Sequence, residues 1–133
     1  MRTITLKNRE LIAAYTTLVR LGDCAGMDPA TALKIARNKI ALEADIKVRD
    51  EAVTKILDEE TVKDKEGNPV KDEDGNRVLI NPDRFNARAN EISELDVEVT
   101  IRPMKWDEIS KALPTPNQIA ALMPFIEDLD SVD

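Results

Sequence analysis

One uninterrupted stretch, Asp28 to Glu60, constrains this 133-residue chain more than any other feature. Asp28 can cap a helix, and Pro29 stands where a first helical residue has no use for an N–H. No further proline or glycine occurs before Thr61. The pattern predicts a single helix on the order of 48 Å long, at about 1.5 Å per residue. Leu33, Ala36 and Ile40 form one apolar stripe along it. Leu42, Ile46, Val53, Ile56 and Leu57 form a second, with Ile35 close to it by rotation. Two stripes predict contacts on two sides. The spacing is not a sustained heptad, which argues against an autonomous coiled coil. Glu43–Lys47, Asp45–Arg49 and Glu51–Lys55 each place an acid four residues ahead of a base, as solvated pairs of about 0.2–0.5 kcal/mol.

Before this helix, Ile4 and Leu6 alternate with polar residues and predict a short strand, Thr3–Leu6. Asn8 is expected to cap a helix whose apolar face is Leu11, Ile12, Tyr15, Leu18 and Val19, with Gly22 as its stop. The short loop Asp23–Met27 then predicts an antiparallel helical hairpin. After the long helix, residues 63–70 and 71–78 repeat a Lys-Asp-x-x-Gly-Asn-x-Val pattern. Its acid-Gly-Asn turns suit tight hairpins, because Gly and Asn tolerate positive φ. With so few apolar side chains, residues 63–80 are read as a charged β-hairpin or mobile insert. A calcium loop fails here: with Gly75 at its sixth position, Val70 would be first and Asn81 twelfth.

Asn81 and Pro82 repeat the cap-and-proline start, and Phe85, Ala89 and Ile92 mark one face of the helix that follows. Antiparallel packing would bring Arg84 and Arg88 alongside Asp58, Glu59 and Glu60. Leu95–Arg102 alternates as a half-buried strand and pairs naturally with Thr3–Leu6. Thr115, Pro116 and Gln118 have the spacing of a capping box, and residues 127–133 form an acidic tail. The fold class is therefore α+β. A long helical hairpin or three-helix layer lies on a small antiparallel sheet, with the charged insert, in one domain spanning 1–133.

Composition then removes whole classes of chemistry. The chain has no histidine, which takes away the commonest general base, the commonest metal ligand and every Ser–His or Cys–His nucleophile. One cysteine, Cys24, gives neither a disulfide nor a credible zinc site, and it fits a reducing, cytoplasmic compartment. Glu10, Asp23 and Asp28 could gather around the Cys24 loop, but nothing in the sequence fixes them there. No cofactor, metal or catalytic residue is expected, and no apolar run is long enough to cross a bilayer.

Net charge is −7, yet residues 1–49 carry a balance of +4 and residues 50–133 one of −11. Arg2, Lys7, Arg9, Arg20, Lys34, Arg37 and Lys39 are a candidate patch for anions or nucleic acid. Overall charge and the shortage of aromatics for base stacking make nucleic acid the weaker reading. Trp106 and Phe125 are candidate partner-binding residues, against the plainer reading that they are core.

Several local patterns taken together carry a resemblance. They are Leu6 to Leu11, Ala36-Arg37-Asn38 with Ile40 and Glu43, the charged Gly-Asn insert, Val97-Glu98-Val99, and Met123-Pro124-Phe125-Ile126. In this layout the chain resembles a family of short uncharacterised phage and prophage proteins. The resemblance implies a viral origin and transfers no activity or site residues. With no catalytic constellation, the expected function is non-enzymatic binding of a host or viral protein, as an anti-defence factor or a virion assembly accessory. A homo-oligomer stays open.

Overall fold

The structure, a computed structural model, describes residues 1–127, so all but the first residue of the acidic tail lies outside it. Two strands, β1 (Arg2–Lys7) and β2 (Asp96–Ile101), and five α-helices are described. The helices are α1 (Asn8–Gly22), α2 (Pro29–Glu60), α3 (Pro82–Glu94), α4 (Trp106–Ile109) and α5 (Pro116–Leu122). The fold is α+β. Where length alone suggests one domain, contacts divide the chain into two compact units. One is Met1–Ile46 with the residues from Asp96 on, and the other is Lys47–Leu95.

In the first unit β1 and β2 pair antiparallel, with Ile4 opposite Val99 and Leu6 opposite Val97. Alternation puts Leu6, Val99 and Ile101 on the buried face, while the Thr3 and Thr100 hydroxyls bond across the other at 3.3 Å. A two-stranded sheet is not stable alone. Helices cover its apolar face: Leu11, Leu18 and Leu21 of α1 and Ile35 and Leu42 of α2 are all at most 1% exposed. Met104, Leu122 and Phe125 complete this aliphatic core. Two contacts set the hairpin: the Tyr15 hydroxyl donates to Glu43 at 3.0 Å, and a methyl on Gly22 would stand 3.8 Å from Ile35 Cγ2. Residues 15 and 22 thus meet residues 43 and 35 in reverse order, so α1 and α2 run antiparallel. After β2 the chain passes through Met104, whose N–H donates to Phe125 O at 2.8 Å.

Three local expectations are corrected. Asn8 does not cap α1: Lys7 holds the cap position with extended backbone, and its N–H donates to Glu10 Oε1 at 3.0 Å. The strand runs into the helix without a loop, so the extended residue is one still paired in the sheet. Asn8 becomes the first helical residue and is buried. The buried face of α1 is Leu11, Ala14, Thr17, Leu18 and Leu21, with Ile12, Tyr15 and Val19 only half-buried. On α2 the buried residues are Thr31, Ile35, Asn38 and Leu42, at 4-3-4 spacing, and Glu60 at its end. The first apolar stripe is bare: Leu33 is 55% exposed, Ile40 66%, and Ala36 is exposed as well.

The second unit holds the end of α2, the repeat and α3. Backbone bonds join the valines that punctuate the repeat into a ring: Val70 N–H to Val62 O, Val78 N–H to Val70 O, and Val62 N–H to Val78 O, at 2.8–2.9 Å. Within each octad an aspartate closes the turn. Asp64 Oδ1 accepts from the Glu66 and Asn68 N–H groups, and Asp72 Oδ1 from those of Asp74 and Asn76. Gly67 and Gly75 follow at φ +84° and +82°, a left-handed backbone open to glycine at little cost. The insert is therefore two turns with a defined hydrogen-bond pattern, although residues 63–69 and 71–76 remain exposed. Asn81 caps α3 by accepting from the Arg84 N–H at 3.1 Å, as its sequence predicts.

Candidate functional site

The sequence-predicted basic residues do not form one face. Arg2 donates to the Pro124 carbonyl. Arg20 sends its guanidinium to Ala112 O at 2.9 Å, closing the turn after α4. Lys34 pairs with Glu108 at 3.0 Å. Glu108 is a hub: Thr31 Oγ1 and the Lys105 N–H donate to it as well, at 3.1 and 2.9 Å. Burial pushes the Glu108 carboxyl up, but the Lys105 N–H, Lys34 and Thr31 outweigh it and hold it below the usual glutamate value. Lys7 and Arg9 sit at the start of α1, and Lys39 lies half-buried along α2. Of the seven, Lys34 and Arg37 share a cavity.

The two partner-binding candidates also separate. Phe125 is 0% exposed and belongs to the core, which removes it from any surface site. Its aromatic area is used in covering the sheet. Trp106 opens α4 and is partly buried against the same core. Cys24 lines a cavity of about 30 Å³ together with Asp28 and Glu108, and its thiol donates to Arg20 O at 3.6 Å. Glu10 is engaged at the start of α1 by the Lys7 N–H.

What the structure offers instead is an open groove in the first unit, on the bare stripe of α2. One part, of about 450 Å³, lies among Met1, Leu33, Lys34, Arg37 and Pro103. The next, of about 320 Å³, runs on past Arg37 to Ile40, Ala41 and Thr100. Met1, Arg37 and Arg102 line both parts. The floor is apolar and prominent, with Met1 85%, Leu33 55% and Ile40 66% exposed. Its charged groups are Lys34, Arg37 and Arg102; no carboxylate is among the described lining residues.

Asn38 fixes the geometry of this groove. It is 1% exposed; its Nδ2 donates to Arg102 O at 3.0 Å, and its Oδ1 accepts from the Arg102 N–H at 2.7 Å. Both amide ends are used on the residue just past β2, which ties α2 to the end of the strand and places Arg102 in the same groove as Arg37. A signal for this surface is present in the sequence as Leu33-Ala36-Ile40, a stripe expected to be covered. Met1 and Arg102 join it only through the strand pairing of Arg2 with Ile101.

The chain matches no known family model, no curated protein and no solved structure.

Proposed function

We propose that this chain acts without catalysis, as a protein-binding module that presents the groove on α2 to a partner. The observation that carries this reading is the exposed apolar surface of Leu33 and Ile40 on the clamped face of α2, with Met1, the residue before β1, beside them in the groove. Exposed apolar residues scattered singly need no explanation, whereas a contiguous set beside a groove marks an interaction surface.

The layout resembling short phage and prophage proteins supports a viral origin. The partner is then a host or viral protein, with an anti-defence role or a virion assembly role as the two ends of the range. A cytoplasmic place of action agrees with the free cysteine, and among the described residues no helix is long and apolar enough to cross a membrane. The dispersal of Arg2, Arg20 and Lys34 into internal bonds weakens the nucleic-acid alternative.

Affinity purification of the tagged chain from infected cells, read by mass spectrometry, tests the reading against Leu33→Asp and Ile40→Asp. Prey held by the wild type and lost by both variants supports it. Defence or replication proteins as that prey point to anti-defence, and head or tail proteins to assembly. Prey retained by both variants, with unchanged melting temperatures, would remove the groove from the function.

A further inference from the structure

The groove is an electrostatic inversion of its own protein. A chain of net charge −7, with 26 acidic residues against 19 basic ones, places no carboxylate among the described residues of this lining. Lys34, Arg37 and Arg102 stand there beside Met1, Leu33 and Ile40. Acids elsewhere are not lacking, since Glu43 and Asp45 lie only a turn further along the same helix. The Asn38 clamp brings the second arginine to the site from a different element.

We infer that the occupant of this groove is an acidic amphipathic segment of a partner protein, its apolar side chains on Leu33 and Ile40 and its carboxylates against Arg37 and Arg102. This rests on the reading of the groove as a protein-binding surface and specifies the chemistry of what it takes. Arginine suits the role, because its planar fork binds a carboxylate through two parallel hydrogen bonds. Lys34 already has Glu108, so Arg37 and Arg102 provide the charge that selects the ligand. Complementary charge of this kind sets specificity and speeds encounter more than it adds raw affinity.

Two other occupants fit less well. A second copy of the chain, laid antiparallel on the same stripe, would bring Lys34 and Arg37 against the same cations of its partner, and like charges brought together at an interface are costly. Nucleic acid would find an apolar floor with no aromatic side chain to stack on, in a protein whose overall charge repels it.

The probe is a synthetic amphipathic peptide of about four helical turns, with a leucine stripe flanked by glutamates, labelled for fluorescence anisotropy. Three comparisons accompany it: glutamates replaced by lysines, leucines replaced by alanines, and a DNA duplex. The expected result is that the glutamate–leucine peptide binds at least about tenfold more tightly than either altered peptide, with affinity falling as salt is added. Arg37→Glu and Arg102→Glu should each lose that preference, while amide resonances of Asn38 and Arg102 show the clamp intact. Equal binding of the lysine peptide, tighter binding of the duplex, or self-association reversed by Leu33→Asp would each overturn the inference. If no peptide binds while Leu33→Asp still loses its prey in cells, the surface stands and the acidic partner falls.

Discussion

At Asn38 the buried face of α2 gives a core position to an amide, and both ends of that amide are used on the backbone of Arg102. Truncation would leave the partly buried N–H and carbonyl of Arg102 without partners, so Asn38→Ala should cost about 1–3 kcal/mol in denaturant unfolding. Ile40→Ala, two residues on and exposed, should stay within about 0.5 kcal/mol. Near-equal losses would mean that α2 is not held by the clamp. Carboxylates make a second residue-scale case. Hydrogen bonds from Arg84 and then Arg88, against a smaller effect of burial than Arg84's, hold the Glu60 carboxyl below its ordinary 4.5. Arg77 does the same for Asp58, below its ordinary 3.8, and Glu108 is lowered by its own three donors. Each group titrates lower folded than unfolded. Its contribution is therefore complete above the ordinary value and fades as pH falls through the folded one. Glu60→Gln and Glu108→Gln should each flatten the fall of melting temperature between about pH 5 and about pH 3. An unchanged acid slope would show that these pairs do not couple to folding.

At the scale of elements, α3 is held unlike the helices of the first unit. It has no buried residue, and Phe85, Ala89 and Ile92 are only half-buried. Glu60 at the end of α2 is 3% exposed and receives Arg84 at 2.7 Å and Arg88 at 2.9 Å, while Arg88 also reaches Glu59 at 2.6 Å. The approach expected for Arg84 and Arg88 is present, beside an apolar face of α3 that is only half-buried. With its ring only partly buried, Phe85→Ala should cost about 1–2 kcal/mol, below the roughly 3–5 of a fully buried ring. Removing both arginines takes away both cationic partners of Glu60. The double variant Arg84→Ala/Arg88→Ala should therefore lower the melting temperature more than Phe85→Ala does. The reverse order would make the apolar contact the dominant one. These pairs also answer a local conflict, since α2 has no acid in its first turn and no base in its last. Lys34 near its start is met by Glu108, and Asp58 and Glu60 near its end by arginines.

Across the molecule the two units differ in what they bury. Among the described residues all fourteen buried apolar side chains belong to the first unit, and the second buries only Glu60 and Thr61. Apolar burial is the main favourable term in folding, so the second unit should open at lower free energy. Hydrogen exchange should find amides of residues 62–94 less protected than those of 11–21. Limited proteolysis should cut first within residues 63–78, and faster in Asp64→Ala and Asp72→Ala, which lose their turn closures. Protection of the turns equal to that of α1 would show that the polar network carries as much stability as the aliphatic core.

Much of this protein is local and was legible in its residues. Proline and the absence of glycine set the span of α2, alternation set both strands and their partnership, and Asn81 and Thr115 cap the helices they precede. These features depend on backbone preferences and short-range bonds, which travel with the sequence. Which face of α2 is inside was legible only in part: Leu42 and Ile35 of the second stripe are buried, but the same row includes Thr31 and Asn38 while Leu33 and Ile40 are bare. Polarity predicts burial only until a polar group finds its partner, and the partners, Glu108 and the Arg102 backbone, are more than sixty residues away. The groove follows the same rule: its apolar floor is written in Leu33 and Ile40, but Arg37 and Arg102 come to line one groove only once the sheet and the Asn38 clamp have formed.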